Sequence, residues 1–372
     1  MLPDVAVIGA GVFGAWTARF LGRAGARVVL YDAFGAGNSR SSSGGETRII
    51  RAGYGRDEIY TRMAVESLGE WRAFQNQTDQ RILLETGVLL LGHTKDARLT
   101  DTAETLKRAG VRFEDLDAGE LRRRYPQIAV ADDGRGILET DAGALMARRA
   151  VQQLVAGMDL RAERVDPSVK AGICVYACGP WLPKLFPEVL GNKMFPSRQE
   201  IFFFGCPAGD RSFAVPAMPT WIDAENFYGT PDIENRGFKI GRDEHGPAID
   251  PDTDNRLTTA EELARVRVHL AKRFPGLACA PVVETRVCQY ENTSNGDFLI
   301  DRHPERDDIW FVGGGSGHGF KHGPAVGRYA AEMIMGSGKR EPRFSFCRQG
   351  YGAAPRSLPA AEAAVWLELQ PQ

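Results

Sequence analysis

A short, uninterrupted run of apolar residues opens the chain, from Val5 to Ile8. Such a run is typical of a strand that is buried on both faces of a parallel sheet. A helical pattern follows through Ala15 and ends near Gly25, and a second apolar strand spans 28–31. This alternation of strands and a helix predicts an α/β unit built on a parallel sheet.

The same strand, loop and helix pattern returns near the C-terminus. The apolar strand 309–312 leads through a glycine-rich loop into an amphipathic helix that includes Met333. Further strands are indicated at 87–91 and 200–204, and a surface helix at 260–274. We therefore expect an α/β protein (α+β overall), with a parallel-sheet unit and a second domain built on a mixed β-sheet.

Three glycines occupy the turn between the first strand and the first helix, namely Gly9, Gly11 and Gly14. The first permits a tight turn, the second lets the backbone approach a pyrophosphate, and the third lets the helix pack closely on the strand. Val12 and Phe13 begin a helix whose free N–H groups suit phosphates. Asp32, which follows the second strand, would accept a hydrogen bond from a ribose hydroxyl. The turn in this context predicts a dinucleotide site, without distinguishing NAD from FAD.

Length and composition limit the class of protein. A chain of 372 residues exceeds one ordinary hydrophobic core, so two domains are expected. The net charge of -2 argues against a nucleic-acid binder, which usually carries a basic surplus. No apolar run is long enough to span a bilayer, and the first run is expected to be a strand rather than a signal peptide. The six cysteines form no C-x-x-C pair, which predicts reduced thiols in a cytoplasm and no metal site.

Two glycine-rich segments carry basic residues. The Gly/Ser-rich segment 35–45 replaces an expected third strand and runs into Arg48 and Arg51, which would face one side of a helical turn. A solvated loop with surface arginines is the alternative. The loop after the strand 309–312 contains His318 and Lys321, which a simple connector would not need. Both segments are therefore candidates for contact with a polar ligand.

Two stretches, Thr47-Arg48-Ile49-Ile50-Arg51 and Gly315-Ser316-Gly317-His318-Gly319-Phe320-Lys321, together resemble the monomeric sarcosine oxidase family. That family includes N-methyl amino acid and pipecolate oxidases among the D-amino-acid-oxidase-like flavoproteins. The resemblance covers nearly the whole chain. Further matches are Tyr228-Gly229, Gly237-Phe238-Lys239-Ile240-Gly241, Asp250-Pro251-Asp252-Thr253, Cys288-Gln289-Tyr290, 298–304 and 175–181.

The resemblance implies a Rossmann-like FAD-binding domain and a second, substrate-binding domain. We expect the FAD-binding domain at 1–84, 140–190 and 285–345, the substrate-binding domain at 85–139 and 191–284, and a C-terminal tail at 346–372. The tail would be a loose or docking helix. The residues expected to bind FAD are Gly9, Gly11, Val12, Phe13, Gly14, Asp32, Ser42, Ser43, Thr47, Arg48, Cys178, Gly179, Trp181, Cys288, Gly315, Gly317, His318, Gly319, Phe320 and Lys321.

The resemblance also implies that Cys288 holds the flavin covalently through a thioether. From composition alone, a cysteine is more often a small buried hydrophobe than a reactive group. The match to the family at this position is the Cys-x-Tyr pattern of Cys288-Gln289-Tyr290. The other five cysteines keep the ordinary interpretation.

The resemblance assigns roles to several cations. Arg51 and Lys321 would hold the substrate carboxylate, the arginine in a bidentate way and the lysine as a second positive charge. Arg48 would lie close to the flavin, or would form a salt bridge with Glu46 or another acid. Lys239 would act through a water near the reactive face of the flavin and promote its reaction with oxygen. The alternative for Lys239 is a surface lysine on a strand.

The implied activity is that of a flavin-dependent oxidoreductase acting on CH–NH bonds. It would oxidise a secondary-amine or N-alkyl amino acid to an imine, with O2 reduced to H2O2. Tyr228 and Tyr290 would either line the amine pocket or be core tyrosines. His318 is a further candidate catalytic residue. The expected partners are a small-molecule amine or amino acid and O2, with no nucleic acid and no membrane, in a monomer or small homo-oligomer. The alternatives are an amino-acid dehydrogenase that uses a quinone or other carrier, and a non-catalytic flavin-binding subunit.

Three features depart from the family pattern. Ser43 and Gly44 replace paired histidines, and Asp243 replaces a histidine after the Gly-x-Lys-x-Gly segment. These changes place sarcosine in doubt as the substrate and favour a bulkier or more polar amine. The stretch 158–176 is short for the strand, hairpin and return strand that it should hold. Either this crossover is trimmed or some residues are absent from the sequence.

Overall fold

The computed structural model describes residues 4–348 of the chain. The strands are β1 (Val5–Ile8), β2 (Val28–Tyr31), β3 (Thr47–Ile50), β4 (Leu83–Leu84), β5 (Val88–His93), β6 (Phe113–Asp117), β7 (Gly134–Glu139), β8 (Gly143–Met146), β9 (Leu160–Arg161), β10 (Ile173–Tyr176), β11 (Met194–Phe204), β12 (Thr220–Asp223), β13 (Phe227–Thr230), β14 (Phe238–Arg242), β15 (Val282–Thr293), β16 (Leu299–Arg302) and β17 (Ile309–Gly313). The α-helices are α1 (Val12–Arg23), α2 (Glu58–Gln75), α3 (Ala97–Arg108), α4 (Ala118–Arg124), α5 (Ala147–Val155), α6 (Leu182–Leu185), α7 (Pro187–Leu190), α8 (Ala260–Arg273) and α9 (Gly323–Ile334).

The first sheet is six-stranded, in the order β16-β17-β10-β1-β2-β9. Its central strand β1 pairs in parallel with β10 on one side and β2 on the other, and all four of its residues are buried. The helices α1 and α9 pack against each other, and Trp16 and Val326 are fully buried there. The apolar run and the strand–helix alternation thus form the parallel unit that the sequence predicts.

The second sheet is eight-stranded and mixed, in the order β15-β11-β14-β13-β12-β5-β7-β6. Only β12 and β5 pair in parallel within it, and the long strands β11 and β15 pair along most of their length. Helix α8 covers one face, where Leu270 packs with Trp221, Phe238 and Phe274. Strand β11 begins at Met194, so it is longer than the predicted strand 200–204.

A third, three-stranded sheet corrects the expectation that Arg48 and Arg51 share one side of a helical turn. Residues 47–50 form strand β3, which pairs antiparallel with β8. The β-branched threonine and isoleucines of this segment fit an extended strand better than a helix. Positions three apart on an extended chain point to opposite sides. The two arginines therefore reach different partners.

Two further predictions concern the segment 158–176 and the C-terminal tail. In place of the hairpin expected in 158–176, the structure has the two-residue strand β9 beside β2 and an irregular segment before β10. Most of the tail 346–372 lies outside the described residues; Phe346–Arg348 is a short 3-10 turn.

The domain boundaries stay a prediction. Among the described residues, no helix is long and apolar enough to cross a membrane, and the six cysteines are unpaired.

Candidate functional site

The glycine turn between β1 and α1 is shaped by close backbone contacts. Gly9 adopts a φ of +107°, and a Cβ there would lie 2.3 Å from the Ala177 carbonyl oxygen. A Cβ on Gly14 would lie 1.9 Å from the Gly9 carbonyl oxygen, so any larger residue would force the helix away from the strand. A Cβ on Gly11 would meet nothing nearer than Ser43 Oγ at 3.4 Å. The protein's own packing therefore requires Gly9 and Gly14, whereas the absent side chain of Gly11 leaves room for a ligand.

This turn opens onto a cleft whose empty volume, including the part open to solvent, is about 1200 Å³. The cleft brings together residues from both glycine-rich loops, from the turn after β10 and from β15. Those predicted from sequence that line it are Gly9, Gly11, Val12, Phe13, Asp32, Ser42, Ser43, Arg48, Cys178, Gly179, Trp181, Cys288, Tyr290, Gly315, Gly317, Gly319 and Phe320. The predicted site residues that do not line it are Gly14, Thr47, Arg51, Tyr228, Lys239, His318 and Lys321.

Two predicted ligand contacts also stabilise the turn itself. Asp32 accepts hydrogen bonds from the Ala10 N–H at 2.8 Å and the Phe34 N–H at 2.9 Å. Burial raises the pKa of Asp32, and these backbone donors oppose that rise. Ser43 Oγ accepts from the Val12 N–H at 3.0 Å, at the N-terminus of α1. A carboxylate oxygen can accept more than one hydrogen bond, so Asp32 keeps capacity for a ribose hydroxyl.

Arg48 links the N-terminal loop to Cys288. Its guanidinium donates to the Ser42 carbonyl oxygen at 2.6 Å and lies 3.3 Å from Cys288 Sγ. The alternative salt bridge to Glu46 is not formed, because Glu46 pairs with other arginines, including Arg286 at 3.3 Å. The Arg48 guanidinium therefore joins Cys288 to the segment that carries Ser42.

Lys239 is buried rather than exposed, so its interpretation as a surface lysine is wrong. Its side chain is 3% exposed, and Nζ donates to Thr47 at the carbonyl oxygen (2.9 Å) and at Oγ1 (3.1 Å). Burial lowers the pKa of Lys239 to about 7, and the positive charge of Arg48 adds to this effect. The lysine can therefore gain or lose a proton near neutral pH.

Arg51 and Lys321 meet around a tyrosine that the sequence analysis did not select. Lys321 Nζ donates to Tyr54 OH at 2.7 Å and to the His318 carbonyl oxygen at 2.9 Å. The Arg51 guanidinium lies 4.7 Å from the centre of the Tyr54 ring. The same hydroxyl contacts His322 Nε2 at 2.7 Å. Burial and the charge of Arg51 lower the pKa of Lys321 well below its usual range.

Glu139 is a second residue that sequence reasoning missed. Its carboxylate, 1% exposed, accepts from the Ala52 N–H at 2.7 Å and the Gly53 N–H at 2.8 Å. Burial raises the pKa of Glu139, while these N–H groups and Arg51 lower it. The carboxylate thus fixes the backbone directly after Arg51. Nothing in the sequence near Glu139 points to this contact, since it closes across 87 positions.

Tyr228 lies on β13 and Tyr290 on β15 of the mixed sheet, with β14 and β11 between these strands, and both tyrosines are half-buried. Tyr290 OH donates to Asp243 Oδ1 at 3.3 Å. Burial raises the pKa of both tyrosines, so both hydroxyls stay protonated at neutral pH. We call Arg51, Tyr54, Asp243, Tyr290 and Lys321 the charged cluster. It adjoins the cleft through Tyr290, which belongs to both.

The donor set of the cleft fits a flavin dinucleotide. Gly11 leaves space in front of the N-terminus of α1, where backbone N–H groups suit a pyrophosphate. Gly315, Gly317 and Cys288 line the same cleft as the glycine turn, so a dinucleotide bound there would share that cleft with the Cys288 thiol. Within the described part of the chain, no group of three or more His, Cys, Asp or Glu side chains could hold a metal ion.

Comparison with known proteins gives a consistent result. Residues 4–333 match the profile of the DAO family, described as FAD dependent oxidoreductase. The chain is 29% identical to monomeric sarcosine oxidase of Bacillus sp. (strain B-0618), covering 95% of this chain and 97% of that protein. It is 28% identical to N-methyl-L-tryptophan oxidase of Escherichia coli O139:H28 (strain E24377A / ETEC), covering 90% and 95%. The family resemblance seen in the sequence is confirmed.

Solved structures share the fold. The L-proline dehydrogenase from P. horikoshii superimposes with a TM-score of 0.80 at 21% identity, covering 93% of this chain and 97% of that one. The fructosyl peptide oxidase from E. terrenum gives a TM-score of 0.79 at 19% identity, covering 95% and 96%. The predicted combination of a Rossmann-like unit with a second domain on a mixed sheet is confirmed.

Proposed function

Because the chain belongs to the family of FAD-dependent oxidoreductases, we propose that it oxidises the C–N bond of a secondary-amine or N-alkyl amino acid. The C–N single bond would lose two electrons and two protons and become an imine, and O2 would take them up as H2O2. The observation that carries this proposal is the pair of cations, Arg51 and Lys321, beside the cleft.

These two cations have no carboxylate partner of their own. Across residues 4–348, no Asp or Glu oxygen lies within 4.0 Å of the side-chain nitrogens of Arg51 or Lys321. The Arg51 Nη1 atom is buried without a hydrogen-bond partner in the described structure. A buried cation without a partner is costly, and a ligand carboxylate would remove that cost. Arg51 and Lys321 therefore suit the carboxylate of an amino acid.

The remaining residues have roles that follow from their positions. Tyr228 and Tyr290 present aromatic surface and protonated hydroxyls next to the carboxylate site, which suits the alkyl and amine parts of a substrate. Lys239, when protonated, would supply a positive charge that stabilises the negative charge developing as oxygen is reduced. Bound FAD supplies the electron-accepting chemistry, so the protein needs to orient the substrate rather than provide a nucleophile.

We also propose that FAD is attached covalently through Cys288. Its sulphur lines the cleft and lies 3.3 Å from the Arg48 guanidinium. Cys178 lines the same cleft but donates to the Ile8 carbonyl oxygen at 3.3 Å, and burial raises its pKa. The two cysteines therefore form a matched pair for an experiment.

Acid precipitation of the purified yellow protein tests the covalent link. We expect the flavin to stay in the pellet for wild type and for Cys178→Ala, and to move to the supernatant for Cys288→Ala. Release of flavin from the wild type, or retention by Cys288→Ala, would contradict the assignment. Mass spectrometry of the flavin peptide gives an independent readout.

A panel of N-methyl and cyclic secondary-amine amino acids tests the reaction. We expect at least one to bleach the flavin under anaerobic conditions, and one H2O2 per turnover in air. Bleaching without peroxide, with turnover restored by a quinone, would identify a dehydrogenase instead. A flavin that no amine bleaches would identify a non-catalytic flavin protein.

The cellular compartment and the oligomeric state are further proposals. We propose a cytoplasmic protein that is a monomer or small homo-oligomer, supported by six cysteines without a disulfide among the described residues. Light scattering of the holoprotein would measure its mass directly.

A further inference from the structure

Glu291 is a buried acid that lines the same cleft as the glycine turn. It lies on β15 and is only 8% exposed. One of its carboxylate oxygens, Oε1, accepts a hydrogen bond from the Gly315 N–H at 3.1 Å. The other oxygen, Oε2, is buried and has no hydrogen-bond partner among residues 4–348. The carboxyl group is thus held at one oxygen and open to a ligand at the other.

A buried carboxylate with an unpartnered oxygen is costly, and the protein does little to offset that cost. In the described part of the chain, no Lys, Arg or His nitrogen lies within 4.0 Å of the Glu291 carboxylate. Burial raises the pKa of Glu291 to about 7, although the N–H groups of Gly315 and Gly314 lower it. A ligand that donates a hydrogen bond to Oε2 would remove the cost.

The order of strands in the first sheet places Glu291 relative to the other residues of the cleft. Strands β17, β10, β1 and β2 are parallel neighbours, so their carboxyl ends lie along one edge of the sheet. Asp32 follows β2, the glycine turn follows β1, Gly179 follows β10 and Gly315 follows β17. Glu291 is bonded to Gly315, and a Cβ on Gly179 would lie 3.4 Å from its Oε2. Asp32 and Glu291 therefore lie on opposite sides of the glycine turn.

FAD carries hydroxyl groups on both sides of its pyrophosphate. The adenosine ribose lies on one side, and the ribityl chain that leads to the flavin ring lies on the other. With the pyrophosphate at the glycine turn and the ribose at Asp32, the ribityl chain would run towards Glu291. A hydroxyl group can donate to a carboxylate oxygen, whereas a phosphate would be repelled by it.

We propose that Glu291 binds the ribityl chain of FAD, with Oε2 accepting a hydrogen bond from one of its hydroxyl groups. The proposal rests on the FAD cofactor of the family and on the direction of FAD along the sheet edge. It does not rest on the proposed oxidation of an amine.

Cofactor analogues that each lack one hydroxyl group test the proposal. The measurement uses apoprotein of Cys288→Ala, in which FAD should bind reversibly, with and without Glu291→Gln. Quenching of flavin fluorescence gives Kd for FAD and for FAD without its ribityl 2′-, 3′- or 4′-hydroxyl. Where Glu291 is present, one of these analogues should bind about tenfold or more weakly than FAD, the effect of one hydrogen bond to a charged group. In Glu291→Gln the difference should fall to about threefold, because both partners are then neutral.

Two controls use the same measurement. Glu284→Gln changes an acid on the same strand that pairs with Arg236 at 2.7 Å and does not line the cleft, and it should keep the tenfold difference. FAD without the 2′-hydroxyl of its adenosine ribose should show the same affinity relative to FAD with Glu291 and with Glu291→Gln. Circular dichroism and Tm report whether each apoprotein folds. If Glu291→Gln does not fold, Glu291→Asp replaces it, and its shorter side chain should likewise reduce the difference.

Three results would overturn the proposal. The first is that no ribityl analogue binds more weakly than FAD where Glu291 is present. The second is that the loss is the same in Glu291→Gln, which would assign Glu291 only to the loop after β17. The third is an effect of Glu291→Gln confined to the ribose analogue, which would place the adenosine end beside Glu291. Because no amine is used, these outcomes are independent of whether the proposed oxidation is correct.

Discussion

The two ends of the site are built in different ways. At the glycine turn, backbone atoms and missing side chains shape the cleft, and the three glycines are close in sequence. In the charged cluster, side chains from four distant segments influence one another's pKa values, and Lys321 is buried. Dinucleotide binding needs close backbone approach, which local sequence can specify. Recognition of a small charged molecule needs cations and anions at fixed separations, which only packing can provide.

This difference predicts different responses to mutation. Changes at the glycine turn should act on folding and on cofactor content. Changes in the charged cluster, or at the residues that support it, should act on individual kinetic constants while the holoprotein persists. The following experiments test that separation, beginning with the largest expected effect.

Gly14→Ala should abolish or strongly reduce yellow holoprotein. Its Cβ would lie 1.9 Å from the Gly9 carbonyl oxygen, and relieving that backbone clash should cost about 3 kcal/mol of stability. Gly22→Ala is the control in the same helix, because a Cβ there meets nothing within 4 Å. It should be neutral or stabilise by up to about 1 kcal/mol. Thermal denaturation and flavin absorbance measure both; a normal Gly14→Ala holoprotein would contradict the packing argument.

Lys239→Gln should slow the reaction of the reduced enzyme with O2 by about 10²- to 10³-fold. Reduction by substrate under anaerobic conditions should change much less. Stopped-flow absorbance separates the two steps, and Lys272→Gln, whose lysine pairs with Glu225 on the surface, is the control. Equal slowing of both steps would assign Lys239 to substrate binding instead.

The pH profile of the wild type sharpens the same point. Burial lowers the pKa of Lys239 to about 7, so the lysine loses its charge as the pH rises through that value. The rate of reaction with O2 should therefore fall between about pH 6 and pH 8. Lys239→Gln should lack this phase. Stopped-flow measurement of flavin reoxidation across this pH range tests the prediction. A wild-type rate that does not change with pH would show that the charge of Lys239 does not control the reaction with O2.

Glu139→Gln should raise KM for the amino acid about tenfold or more, with a smaller effect on kcat. The Glu139 carboxylate now accepts hydrogen bonds from the Ala52 and Gly53 N–H groups. In the variant, the amide NH2 group would face one of these donors and could not accept from it, which should displace Arg51. Steady-state kinetics give the two constants. Glu114→Gln, at an exposed pair with Arg124, should leave both unchanged. A loss confined to kcat would exclude a role in positioning Arg51.

Tyr54→Phe should have the smallest effect, about a fivefold increase in KM. It removes the hydroxyl that accepts from Lys321 but keeps the ring beneath Arg51. Tyr54→Leu removes both contacts and should raise KM further. If both variants match wild type, Tyr54 does not organise the two cations.

The residues near the glycine turn were predictable because each acts within a short segment. Strand β1, helix α1 and strand β2 follow the apolar pattern, and the turn between them follows from its glycines. The environment of Arg48 was not predictable in this way. Its contact with Cys288 spans 240 positions, and the helical turn expected around it is a strand.

The sequence by itself therefore determined the parallel unit, the dinucleotide turn and, through resemblance, the flavin family. Tertiary structure alone decided that Lys239 is buried, that Tyr54 joins Arg51 to Lys321, and that Glu139 supports the backbone beside them. The physical reason is the distance along the chain over which each effect acts. Apolar periodicity and glycine conformations act between near neighbours in the chain, whereas a pKa or an ion-binding site depends on every group that packing brings within a few ångströms.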